Sequence, residues 1–262
     1  MSSSLFHHIV FGPIHSRRLG ASLGVNLLPA YGKWCSFDCI YCECGWNADG
    51  TDDKCLPSKQ EVVEALEQKL STLAKANTPP DVITFSGNGE PTLHPDFKPV
   101  IEATVALRNQ YAPKTKVCVL SNATQLSRPD VFDALLMVDK RIMKIDSAFP
   151  QTVQLIDQPS TGYNLSNTIG ELKRFNGNFV LQTLFVRGIY NGSVIDNTTP
   201  AEVGAWIDLI KELTPKEVMM YAIDRVTPAR ELERVTLPQL EAIANQVSAL
   251  EMGIEINIAG QL

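Results

Sequence analysis

From about Ser22 onward, short apolar runs alternate with amphipathic segments, and that rhythm admits few folds. The apolar runs are strand-sized: Leu23–Leu28, Val82–Ser86, Lys116–Leu120, Arg141–Ile145, Asn178–Val186 and Glu217–Ile223. A further run, Ile254–Ile258, either closes an edge or covers an open end. The segments between them carry helix starts. Ser58 with Glu61 forms a capping box, after which Val62, Val63, Leu66, Leu70 and Leu73 share one face. Thr199 caps a helix with Pro200 just inside, and Thr236 does the same ahead of Pro238. Asp96 and Ser127 begin two more helices, and Leu165 to Phe175 supplies another. Strands alternating with helices imply βα units and a largely parallel sheet.

Six such units, with no long linker, no low-complexity tract and no internal repeat, predict an α/β fold. Six would close only part of an eight-fold barrel, which makes the expected architecture a partial (β/α)6 TIM-like barrel. A single domain over residues 1–262 is expected, with 1–21 as a lead-in and the core at about 22–258. In such folds chemistry gathers at the C-terminal ends of the strands, so the residues just after each strand matter most.

Four of the six cysteines fall at 35, 39, 42 and 44, with Cys55 shortly after and Cys118 inside a strand. A disulfide framework would spread its cysteines through a small secreted domain. Four thiols within ten residues, in a chain that opens without a basic and apolar leader, point to a metal or a cluster instead. With the same opening and no apolar run of the ~18 residues that a membrane span needs, the expected location is the cytoplasm, off the membrane. Lys plus Arg is 23 against 29 Asp plus Glu, a formal charge of −6, which argues against a chain built to grip nucleic acid.

Cys35, Cys39 and Cys42 stand four and three residues apart, a spacing that wraps a compact loop around one face of a cubane. Thiolates are the usual ligands of such clusters, one per iron. Three ligands leave one iron for a small molecule. A zinc site completed by Cys44, Cys55 or a histidine fits the same spacing. It fits the place less well, because the loop follows a strand at the expected catalytic rim.

The loop Cys35-Ser-Phe-Asp-Cys39-Ile-Tyr41-Cys42 resembles the Cys-x3-Cys-x2-Cys signature of the radical S-adenosylmethionine superfamily, aromatic residue included. The resemblance implies a partial (β/α)6 barrel and a [4Fe–4S] cluster held by Cys35, Cys39 and Cys42. It also implies reductive cleavage of S-adenosylmethionine to a 5′-deoxyadenosyl radical that abstracts hydrogen from a substrate. Gly87-Asn88-Gly89-Glu90-Pro91, taken alone a tight turn, resembles the family's Gly-Gly-Glu element. By that likeness Gly89 and Glu90 hold the methionyl amine, with Asn88 beside them where a glycine might stand, and Tyr41 helps seat the adenine. By the same likeness Ser121, Asn122, Asp146 and Gln182, polar residues at strand ends, contact the ribose or the methionyl carboxylate. Their plainer reading is a satisfied buried polar group.

Ser16-Arg17-Arg18-Leu-Gly20 and Tyr221-Ala-Ile-Asp224-Arg225 resemble elements of small radical enzymes related to the wyosine-base synthases. Arg17, Arg18 and Arg225 then face a substrate carboxylate or phosphate, or bridge acidic residues of the rim. Cys44 and Cys55 remain as candidates for a second metal site. The expected function is radical chemistry on a small molecule or peptide, with a flavodoxin or ferredoxin supplying single electrons. The alternatives are an activase that installs a glycyl radical on a partner protein, modification of a tRNA base, and a non-catalytic zinc module.

Overall fold

Val82–Phe85, a strand buried at each of its four positions, shows why these apolar runs form a sheet covered on both sides. This computed structural model describes residues 4–16, 19–50 and 55–259. The chain divides into two compact units: residues up to Ser36 with Asn47–Ile142, and Phe37–Trp46 with Met143 onward.

In the first unit the elements in chain order are β1 (Val10–Ser16), β2 (Gly20–Val25), α1 (Lys59–Lys75), β3 (Val82–Phe85), α2 (Phe97–Tyr111), β4 (Lys116–Ser121) and α3 (Pro129–Met137). β5 (Lys140–Lys144) carries the chain onward. β1 pairs antiparallel with β2, whereas β2, β3 and β4 pair in parallel. Their register sets Val25 beside Phe85 and Phe85 beside Val119, so the three strands end nearly level and their following loops lie together. α1 starts on the expected box, in which Ser58 accepts from the Glu61 N–H and Glu61 accepts from the Ser58 N–H. Val62, Leu66 and Leu70 are buried on one face. Each such side chain contributes about 1.5–3 kcal/mol of burial.

In the second unit follow α4 (Pro150–Ile156), α5 (Leu165–Lys173), β6 (Val180–Tyr190), β7 (Ser193–Asp196), α6 (Pro200–Leu213), β8 (Glu217–Ala222), β9 (Leu232–Arg234), α7 (Leu237–Ser248) and β10 (Glu255–Ala259). β6, β8 and β10 are parallel neighbours in that order. The apolar run at Ile254–Ile258 therefore becomes a parallel strand beside β8.

Three features differ from the sequence expectation. The lead-in contains β1. β6 runs four residues past Val186, and its outer half pairs antiparallel with β7 on one side and β9 on the other. α3 begins at Pro129 after Arg128, two residues later than a Ser127 start, because the proline suits the first helical position. Among the described residues no helix is long and apolar enough to cross a membrane.

Candidate active site

The first unit assembles Cys35, Asn88, Gly89, Glu90, Ser121 and Asn122 around the level ends of β2, β3 and β4. After β3 the chain turns through two glycines at positive φ, Gly87 at 141° and Gly89 at 135°. At Gly89 a Cβ would run into the Trp34 carbonyl, because a two-bond bridge brings the chain that leads into the cysteine loop directly alongside. The Trp34 N–H donates to the Asn88 carbonyl at 2.9 Å, and the Glu90 N–H donates to the Trp34 carbonyl at 3.1 Å. Asn88 is wholly buried, and its amide is engaged on its own unit. Its Nδ2 donates to the carbonyls of Pro29 (2.7 Å) and Phe6 (2.9 Å), and its Oδ1 accepts from the Phe6 N–H.

Glu90 is a buried carboxylate. Its Oε1 accepts from the Thr92 N–H at 3.1 Å, the Thr92 hydroxyl at 2.5 Å and the Ser121 hydroxyl at 2.9 Å. Its Oε2 accepts from the Asn122 N–H at 2.6 Å. Burial raises the carboxyl pKa from its ordinary 4.5, against these four donors, which favour the charged form. Asn122 then reaches the cysteine loop. Its Nδ2 donates to the Ser36 hydroxyl at 2.9 Å and to Cys35 Sγ at 3.6 Å. Both main-chain groups of Cys35 are held by the Asn47 side chain at 3.1 Å each, a partner that sequence reading missed.

The second unit holds the rest of the loop. Phe37 bridges to Pro159, and the Ile40 N–H donates to the Ile156 carbonyl at 2.9 Å. The Cys42 N–H turns back to the Cys39 carbonyl at 3.0 Å. Tyr41 and Asp146 are buried partners, the tyrosine hydroxyl donating to Asp146 Oδ2. Burial, then the Asp146 charge, drives the tyrosine pKa well above 10.0. Asp146 Oδ1 accepts from the Leu184 N–H at 2.8 Å. Two residues absent from the sequence expectation complete this network: Lys144, 2.9 Å from Asp146 Oδ2, and Asp157, which pairs with the same ammonium. Gln182 is buried, its Nε2 donating to Met219 Sδ at 3.5 Å. Arg225 bridges to Glu43 at 2.8 Å, an acidic residue of the cysteine loop itself. Arg17 and Arg18 lie outside the described residues.

Burial alone would lower the Lys144 pKa, but Asp146 and Asp157 hold it well above 10.5. Burial, then the Asp146 charge, raises the Asp157 carboxyl from 3.8 to about 8 in spite of Lys144. The folded chain therefore keeps the Asp157 proton through a pH range where the unfolded chain has lost it. Stability from this group is full below pH 3.8, falls as pH rises toward about 8 and is level above that. The lysine acts in a separate window, losing its contribution only above pH 10.5. The Asp157→Asn variant is expected to flatten the loss of stability between these carboxyl values, as read by denaturant unfolding across a pH series.

These residues suit a cluster. Among the described residues none of the six cysteines is in a disulfide, and Cys35 Sγ already accepts an amide N–H, as a thiolate ligand does. No three His, Cys, Asp or Glu side chains among the described residues are arranged around a single metal ion. A cubane takes one thiolate on each of its irons and does not require that convergence.

A sequence profile of the radical SAM superfamily matches residues 30–179. A Brachyspira hyodysenteriae protein named GTPase Obg is 29% identical over 254 residues, a match that covers 95% of this chain and 35% of that protein. The chain thus spans about a third of that relative's length. A UPF0026 protein of Helicobacter pylori strain J99 is 31% identical over 224 residues, covering 83% of this chain and 67% of the relative. Among solved structures, a radical SAM methyltransferase from Sphaerobacter thermophilus matches with a TM-score of 0.66 at 14% identity, covering 90% of this chain and 65% of that one. The structure of TYW1 with a lysine-pyruvate adduct matches with a TM-score of 0.63 at 15% identity, covering 91% and 76%. At those identities the two structures speak for the fold, an α/β arrangement with a mostly parallel sheet of the partial-barrel kind.

Proposed function

This chain belongs to the radical SAM superfamily, and from that premise we propose that Cys35, Cys39 and Cys42 hold its [4Fe–4S] cluster and that it acts on a small molecule or a peptide. It is a radical SAM enzyme, and the family implies both the cluster and S-adenosylmethionine. Bound there and reduced, such a cluster would supply the single electron that cleaves the sulfonium of S-adenosylmethionine, and the resulting 5′-deoxyadenosyl radical would take hydrogen from the substrate. Cys35 is the observation that carries this reading. Its main chain is clamped on both polar groups by Asn47, and its sulfur faces an amide donor rather than a disulfide partner.

The chain's own residues bind, orient and exclude water. Glu90 Oε1 is filled by three donors, whereas Oε2 accepts one and can accept another from an ammonium group. Gly87 and Gly89 let the turn pack where a side chain would not fit, against the Asn26 side chain and the Trp34 carbonyl, and Gly89 ties the turn to the cysteine loop through Trp34. The methionyl end of S-adenosylmethionine thus sits against Gly89 and Glu90, with Asn88 fixing the turn from behind. Ser121 and Asn122 orient the Glu90 carboxylate while presenting the end of β4 to the cofactor. Tyr41 backs the adenine, its hydroxyl held by Asp146, and Asp146 and Gln182 line the approach to the ribose. Arg225, paired with Glu43 of the cysteine loop, is the candidate contact for an acidic group of the substrate. Single electrons come from a flavodoxin or ferredoxin in the cytoplasm. The net charge of −6 speaks against nucleic acid as the substrate.

The test is turnover without an added substrate. Anaerobically purified protein, reduced in the presence of S-adenosylmethionine, is expected to release 5′-deoxyadenosine. Protein that carries iron and sulfide yet releases none would contradict the proposal.

A further inference from the structure

We propose that Lys144 is a positioning and charge-balancing residue for the Cys39 end of the cysteine loop, one that makes the bound cluster easier to reduce. The inference rests on the reading of Cys39 as a cluster ligand. Lys144 closes β5, and its side chain is 12% exposed. The ammonium pairs with Asp146 and Asp157 and lies 5.0 Å from the ring centre of Phe37 and 5.5 Å from that of Tyr41. Those rings belong to the residues two before and two after Cys39, so the cation is bracketed by the chain that presents this thiol.

The same chain is hung on the backbone that carries Asp157. The Asp38 N–H donates to the Asp157 carbonyl at 3.0 Å, and the Ile40 N–H donates to the Ile156 carbonyl. Tyr41 closes the frame through its hydroxyl bond to Asp146. Lys144 therefore fixes the loop on both sides of Cys39 with one buried ammonium. An ion-pair network of this kind is a weak source of stability, since well-packed apolar residues often do as well. Its charge is what apolar residues cannot supply.

The charge acts where an electron arrives. Reduction transfers one electron from a reduced flavodoxin- or ferredoxin-type donor to the cluster, with no bond made or broken, and adds one negative charge. Charges and hydrogen bonds around the ligand sulfurs set the potential of such clusters, and burial strengthens their effect. A cation held against Phe37 and Tyr41, on either side of Cys39 in the chain, favours the reduced form, while Asp146 and Asp157 oppose it. Tyr41, Tyr163 and Tyr221 are the other titratable groups facing this network.

The test compares wild-type protein with Lys144→Met, Lys144→Arg and Asp157→Asn after anaerobic cluster reconstitution, reading iron and sulfide content and the midpoint potential. Lys144→Met is expected to make the cluster at least tenfold harder to reduce, a drop of about 59 mV for one electron. Lys144→Arg keeps the charge and is expected to stay near wild type. Asp157→Asn, measured at pH 9, where its carboxylate is charged, is expected to be easier to reduce than wild type at that pH. A merely structural role would move the two charge-removing variants in the same direction, and that result, or an unchanged potential in Lys144→Met, overturns the proposal. If Lys144→Met loses the cluster, Asp157→Asn decides: a raised potential at pH 9 supports the proposal and an unchanged one overturns it. Wild-type protein that takes up no iron and sulfide would overturn the cluster assignment itself, which is a different failure.

Discussion

Replacing Gly89 with alanine is expected to destabilise the first unit by about 2–6 kcal/mol and to leave little cluster on the purified protein. Two costs add at this position. The backbone sits at φ 135°, which L side chains rarely adopt, and the new methyl would press on the Trp34 carbonyl rather than on a movable side chain. Relief requires the Trp34–Gly89 bridge to open, and that bridge holds the entry to the cysteine loop. The loss should therefore appear in two readouts, a lower midpoint in denaturant unfolding and a lower iron content. Gly162→Ala is a fair control, because it also has a positive φ but meets nothing within 4 Å. That variant is expected to pay the backbone strain alone and to keep its iron.

Glu90→Ala is expected to cost about 4 kcal/mol or more, since it removes the shared acceptor of four buried donors. The orphaned groups are the Thr92 and Asn122 N–H and the Thr92 and Ser121 hydroxyls. Each buried donor left unmet costs about 1–3 kcal/mol, more for partners of a charge. Glu90→Gln separates structure from binding. It keeps the size of the side chain but turns an amide N–H₂ toward one group of donors, so it is expected to be the milder change in unfolding. If Glu90 also receives the methionyl ammonium, the glutamine variant will bind S-adenosylmethionine more weakly than its stability loss explains, as calorimetry on folded protein would show.

Much of this was legible because the sheet is built from apolar runs that continue through the strand. Val82–Phe85 and Val180–Phe185 needed no alternation to be recognised. The caps at Ser58, Thr199 and Thr236 were legible for a local reason, a side chain meeting an N–H three residues on. β1 was not, since Gly12-Pro13 interrupts it and its pattern is mixed. β7 left a usable signal that the apolar pattern overshadowed. Asn191-Gly192, both at positive φ, is the two-residue hairpin turn that folds β6 back on itself.

In the site, the cysteine spacing and the glycine-rich turn are short-range patterns, and they stand out as such. The partners that secure them are long-range. Asn47 reaches Cys35 across a loop, and Lys144 meets Asp157 only because α4 returns the chain to the end of β5. Lys144-Ile145-Asp146 hinted at a pair on one side of a strand, but nothing local marks Asp157 as their third member. Glu90 was identified as a site residue for its expected ligand, whereas its four internal hydrogen bonds depend on where β4 ends.

Three cysteines are proposed to carry the chemistry, and one comparison decides whether they do. Anaerobically reconstituted wild-type protein and the Cys35→Ala, Cys39→Ala and Cys42→Ala variants are analysed for iron and sulfide, then assayed for 5′-deoxyadenosine under reducing conditions. The wild type is expected to hold about four irons and four sulfides, and each variant to lose both the cluster and the nucleoside. A variant that keeps the full iron and sulfide content and still produces 5′-deoxyadenosine would contradict the proposal.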